Sequence, residues 1–192
     1  MKRATPFLLT TLRLFLGPLA LIAALLGWPR IIFAPLLLAA TLADIYDGVL
    51  ARRFGVSTPA LRRYDSGTDL IYYLFILLAT WLLCRPVVLA HRAAILLLLG
   101  SEAACILISL LRFRIMPATH SYLAKFYGLC LFTCFVGLLS FNTRGWIITV
   151  LSVVGVTANS EIIAILCLSK HSPVDVPSIL VLHRGKGEGD TY

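Results

Sequence analysis

Charge is what this chain has least of. Asp, Glu, Lys and Arg together make up 14% of its 192 residues, where a soluble domain averages about 25%. Acidic residues are scarcer still, nine against 17 Lys and Arg. With 59% hydrophobic residues and a mean hydropathy of +0.92, this excludes an ordinary water-soluble domain. It leaves an integral membrane protein whose length suits one domain. Other absences remove whole classes of chemistry. No Cys-x-x-Cys occurs, and Cys84, Cys105, Cys130, Cys134 and Cys167 lie in or beside apolar runs. They read as small core residues, not as disulfides or zinc ligands. The chain has no phosphate-cradling glycine loop, haem motif or Ser/His/Asp arrangement. The apolar runs hold no Gly-x-x-x-Gly packing motif, and the chain shows neither internal repeat nor low-complexity tract. No aromatic-interleaved basic patch accompanies the net charge of +8, so nucleic acid is not an expected partner.

What is present is a series of apolar runs. A bilayer core needs about 20 helical residues, and six runs approach that length: 7–27, 31–51, 66–84, 92–111, 121–141 and 145–168. Gly27-Trp28-Pro29-Arg30 breaks the first pair, polar residues 52–65 the second, and Arg85-Pro86 with His91-Arg92 the third. The first run is not closed by a small-residue cleavage site and so does not read as a signal peptide. The expected fold is an all-α membrane protein of six transmembrane helices, residues 1–168, with a polar tail over 169–192. Lys and Arg divide 13 to 4 between alternate ends of these runs. The positive-inside rule therefore places both termini in the cytoplasm.

Four of the nine acids crowd into one short stretch: Asp44, Asp47, Asp65 and Asp69. Each carboxylate costs roughly 2.5–3.5 kcal/mol at mid-membrane, so four unpaired ones would cost on the order of 10 kcal/mol. At 100° per residue, Asp44, Asp47, Gly48, Ala51 and Arg52 share one helix face about 140° wide. Asp65 and Asp69, four apart, share one face of the next helix. Two helices joined by a short turn can aim all four carboxylates into one cleft. Hard oxygen ligands suit Mg²⁺ or Mn²⁺, Gly48 and Ala51 remove bulk on that face, and Arg52 offers a planar fork suited to phosphate. The competing expectation is that these acids pair with Arg52, Arg53, Arg62 and Arg63, although such pairing would not demand this spacing.

The spacing Asp44-x2-Asp47-Gly48-x2-Ala51-Arg52-x16-Asp69, with Asp65 four residues before the end, resembles the signature of the CDP-alcohol phosphatidyltransferases. Seven of that family's eight fixed positions are met here. The departure is Leu61, where the family carries glycine. Leu9-Thr10-Thr11-Leu12-Arg13, followed by Pro18, is similar to the family's opening segment. The resemblance implies that Asp44, Asp47, Asp65 and Asp69 bind one or two divalent metals, which hold the diphosphate of a CDP-linked lipid. It implies that Gly48, Ala51 and Arg52 face the cytidine and its phosphates, and that Asp69 is the general base. A phosphatidyl group would pass from CDP-diacylglycerol to a small hydroxyl acceptor with release of CMP. The site would face the cytoplasm, and a homodimer is common in such a family.

Arg112 and Lys125, near the junction of the fourth and fifth runs, are candidates for a phosphate on the acceptor. They make glycerol 3-phosphate the first expectation and inositol phosphate the second. Equally, they are helix ends that snorkel. Lys125 sits about one turn into the fifth run, where a buried ammonium would want an anion. Arg114 reads as a helix end and His120 as a polar loop residue. Arg13 reads first as an interfacial residue, with the resemblance strengthening its case for a site role. Glu102 and Glu161 are intramembrane acids that either shape an acceptor pocket or bond between helices. Two other functions compete: a divalent-cation carrier using the carboxylates in transit, and an inactive relative, which Leu61 motivates.

Overall fold

A computed structural model describes residues 5–115, 117, 121–143 and 145–169. His120, Arg144 and the tail beyond residue 169 lie outside them. Six α-helices follow in order: α1 (Thr5–Leu25), α2 (Phe33–Arg53), α3 (Pro59–Ala90), α4 (Arg92–Phe113), α5 (Tyr122–Leu139) and α6 (Trp146–Leu168). A single 3₁₀ turn, Arg30–Ile32, leads into α2. All six helices are long and apolar enough to cross a membrane, and the described residues form no strand.

The first helix buries a stripe of mostly small residues and turns its bulk outward. On α1 the buried set is Pro6, Thr10, Arg13, Gly17, Ala20, Ala23 and Ala24, spaced three or four apart. Phe15, Leu96 and Leu111 point away at 70%, 67% and 74% exposure. Such an apolar exterior is a liability in water and is matched to lipid. α1 packs chiefly against α3 and α2, and α4 against α6. α5 joins the two groups. Its Phe135 and Leu139 enter the core of Ala20, Ala23, Leu37 and Ile76, while Cys134 and Leu138 enter that of Cys84, Leu98, Ile148 and Leu151.

The third helix is much longer than its apolar run. It begins at Pro59 and not near 66, because Thr58 caps it by accepting from the Leu61 N–H at 3.2 Å, with proline in the first turn. Its polar start is amphipathic rather than a separator: Arg62, Asp65 and Thr68 are buried at helical spacing. It also runs through Arg85-Pro86, where a break was expected. The chain kinks at Cys84 (φ −128°, ψ 26°). Arg30 holds that kink, donating to the carbonyls of Leu83 at 2.9 Å and Leu138 at 3.3 Å. The Leu83 carbonyl beside the kink thereby finds a donor inside the protein, as lipid requires.

Candidate functional site: a carboxylate cluster around Arg13

The two motif helices are set side by side by a tight turn. α2 ends with Gly55 in the left-handed region (φ 64°), where glycine has no Cβ to clash. The Gly55 N–H bonds to the Arg52 carbonyl at 3.2 Å and the Val56 N–H to the Ala51 carbonyl at 3.0 Å. These are the two bonds of a Schellman cap. Only residues 54–58 then separate α2 from α3, so Asp44 and Asp47 come to face Asp65 and Asp69. Counting 1.5 Å per residue from Arg53 and from Pro59, the carboxylates lie roughly 9–15 Å inside those helix ends.

A third helix completes the cluster. Gly17 lets α1 lie close on α3: a Cβ there would stand 3.3 Å from the Phe75 side chain and 3.4 Å from the Tyr72 backbone. One turn away, Arg13 is 1% exposed, and its guanidinium meets all four aspartates. Nη1 donates to Asp44 Oδ1 at 2.9 Å and to Asp69 Oδ1. Nη2 donates to Asp47 Oδ2 at 2.8 Å and to Asp65 Oδ1. Thr10 adds a hydroxyl 2.7 Å from Asp47 Oδ2. Arg52, Arg53, Arg62 and Arg63, the partners of the competing expectation, sit next to the carboxylates in sequence. The arginine at the centre comes instead from α1, because close helix packing brings it nearer than the loop does.

The carboxylates are graded in depth. Asp47 and Asp65 are buried at 4% and 6% exposure, whereas the side chains of Asp44 and Asp69 keep 47% and 31% of their surface. Oxygens of Asp44, Asp47 and Asp65 all lie within 4.8 Å of one another. Four carboxylates around one guanidinium leave a formal surplus of three negative charges. Hard oxygens at this spacing, already gathered round a cation, fit a divalent metal such as Mg²⁺ or Mn²⁺.

A shallow cleft opens beside the cluster, lined by Asp47, Gly48, Ala51, Leu61, Arg62 and Asp65 among others. Gly48 forms its floor. A Cβ there would stand 3.6 Å from Nη1 of Arg62 and 3.7 Å from Nη1 of Arg52, so two guanidinium groups converge on that glycine. Leu61, which replaces the resembled family's glycine, lines the same cleft.

A family model described as CDP-alcohol phosphatidyltransferase matches residues 3–158. The chain belongs to that family. No curated protein and no solved structure matches it. Membership implies transfer of a phosphatidyl group from a CDP-alcohol to an acceptor within a membrane, and the family is metal-dependent in general.

The remaining expected site residues are placed differently. Arg112 donates to the carbonyls of Cys167 at 2.5 Å and Ser169 at 3.0 Å, capping the end of α6. Lys125 is exposed, not buried, with its ammonium 5.4 Å from the Tyr122 ring centre. The Ser121 cap starts α5 at Tyr122, which leaves Lys125 on an outward face. Arg114 ends α4 in the left-handed region (φ 56°). Glu102 accepts from Asn159 Nδ2 at 2.9 Å, which also reaches Ser101 Oγ at 2.9 Å, so it ties α4 to α6. Glu161 lies half-buried on α6. Sequence reasoning gave Thr10 no role of its own, took Arg62 only as a pairing partner of the acids, and gave Arg13 too small a part. The signal for Arg13 was a lone basic residue at helical spacing with Pro6, Thr10 and Gly17.

Proposed function

We propose that this protein transfers a phosphatidyl group from CDP-diacylglycerol to a small hydroxyl acceptor and releases CMP. The observation that carries the reading is the convergence of four motif carboxylates beside a cleft floored by Gly48. In this reading residues 1–168 are the membrane domain and 169–192 a polar tail. The excess of Lys and Arg at the cluster's end of the bundle makes that end cytoplasmic, where soluble acceptors and CMP exchange.

Asp44, Asp47, Asp65 and Asp69 would hold Mg²⁺ or Mn²⁺. When bound, such a cation supplies charge neutralisation on the diphosphate and makes CMP a better leaving group. Arg52, aided by Arg62 across Gly48, would bind phosphate oxygens with planar donor forks. Gly48 and Ala51 leave room for the nucleotide. Asp69 is at the mouth of the cluster and outside the compact group of three, which suits a base that must meet an incoming alcohol. It takes the proton of the acceptor hydroxyl while that oxygen attacks the phosphatidyl phosphorus. The bond from phosphorus to the CMP oxygen breaks, and CMP leaves with the electron pair.

Arg112 and Lys125 stand exposed at the same end of the bundle, so a phosphorylated acceptor, glycerol 3-phosphate first, remains our preferred substrate. The test is CMP release from CDP-diacylglycerol with Mg²⁺ and a panel of alcohols. Turnover with one acceptor supports the reading. A second reading has one observation in its favour: Leu61 occupies part of the cleft, which fits an inactive relative with a structural or regulatory role. Absence of CMP release with every acceptor, together with intact binding of the CDP-lipid, would favour it.

A further inference from the structure

We propose that Arg13 is the protein's own counter-cation for the metal site and is displaced when a divalent ion binds. This rests on the metal-binding reading of the aspartates and adds a competitor to it.

The argument begins with how the guanidinium is shared. Each terminal nitrogen bridges one carboxylate of α2 and one of α3: Nη1 takes Asp44 and Asp69, Nη2 takes Asp47 and Asp65. The fork therefore lies between the two motif helices, in the middle of the acids. A small divalent ion needs carboxylate oxygens at about 2.0–2.1 Å. Oxygens of Asp44, Asp47 and Asp65 lie within 4.8 Å of one another, and the guanidinium is bonded to each of those carboxylates. A metal drawing in the same carboxylates competes with the fork for them.

No other hydrogen bond fixes the fork there. Nε of Arg13 is buried with no hydrogen-bond partner among the described residues, so its polar contacts are those carboxylates. Their capture by a metal removes what holds it, and the long side chain moves without breaking another bond. The reverse holds for the metal-free protein. Four convergent carboxylates with no cation repel one another across the α1–α2–α3 contact, and Arg13 relieves that repulsion. The same residue thus stabilises the empty site and weakens its affinity for metal.

The experiment compares wild type with Arg13→Gln, Arg13→Lys and Asp47→Asn, purified in lipid nanodiscs. Free Mn²⁺ is followed by electron paramagnetic resonance during titration, and thermal unfolding is recorded in EDTA and in Mn²⁺. Removing one positive charge beside the site should tighten Mn²⁺ binding by roughly tenfold or more in Arg13→Gln. That variant should unfold at a lower temperature than wild type in EDTA and recover in Mn²⁺. Arg13→Lys, which keeps the charge, should stay close to wild type in both measurements. Unchanged or weaker Mn²⁺ binding by Arg13→Gln, with normal binding by wild type, would overturn the proposal and make Arg13 a partner of the loaded site. Failure of Mn²⁺ to restore stability to Arg13→Gln would overturn it as well. If wild type binds no Mn²⁺ and matches Asp47→Asn, the metal reading itself is lost and this inference with it.

Discussion

Between α1, α2 and α3, four carboxylates share one guanidinium; between α4 and α6, one carboxylate shares one amide. Both clusters sit inside a bundle where unpaired polar groups are expensive, and both tie different helices together. Their stoichiometry differs. Glu102 and Ser101 are met by Asn159 at 2.9 Å each, and the Cys105 thiol bonds to the Asn159 carbonyl at 3.4 Å. Asn159 and Cys105 are 2% and 3% exposed and Glu102 and Ser101 half-buried, so each polar group of that cluster has a partner on the neighbouring helix. The aspartate cluster keeps three surplus negative charges, and two of its carboxylates remain open to the outside. A polar group satisfied within the protein is a tie between helices. A surplus of one sign at the mouth of a cleft is an invitation to a ligand.

The comparison is broken most directly at the open cluster. Asp69→Asn removes the proposed base and should lower CMP release by about 10²–10⁴-fold, with helicity by circular dichroism unchanged. Turnover near wild type would remove Asp69 from that role. Next in size is the cleft floor. Gly48→Val puts branches against Arg52 and Arg62, and CDP-lipid affinity should fall roughly tenfold, as expected for a side chain worth about 1–2 kcal/mol of overpacking. Gly48→Ala, whose added carbon meets only ordinary contacts at 3.6 and 3.7 Å, should be much milder. Leu61→Gly comes third. Enlarging the cleft should tighten CDP-lipid binding by a few-fold, read by competition with CMP, and identical affinity would show that this side chain does not shape the site. The paired cluster should show the smallest effect and a different kind. Asn159→Leu removes the donor to Glu102 and should lower stability by about 1–2 kcal/mol, while CMP release per folded molecule stays near wild type. A loss of turnover greater than the loss of folded protein would move Glu102 from tie to site.

The sequence carried the six spans because each apolar run is long and its breaks are polar. It also carried the four aspartates, because helical spacing alone puts Asp44 with Asp47 and Asp65 with Asp69, and Gly55 permits the turn between them. Arg13 was harder to read. It lies 31 to 56 residues from its four partners, and only the close approach of α1 at Gly17 brings it to them. The apolar run marked α3 only from residue 66, although Asp65 was read on its face; Thr58-Pro59 is the start signal, and Arg62 and Asp65 are a buried polar face. The sequence leaves Lys125 open between a phosphate ligand and a snorkelling helix end, because distance from a span's end does not give depth. Depth across a helix depends on its face, and the face of Lys125 points outward.

The most direct test is CMP release by the purified protein in CDP-diacylglycerol vesicles, with glycerol 3-phosphate, in the presence of Mg²⁺ and after EDTA, for wild type and for Asp47→Asn. Release that needs the divalent ion and disappears with Asp47→Asn is the result predicted. Release that persists in EDTA, or is undiminished by Asp47→Asn, would contradict the claim that these carboxylates form the reacting site.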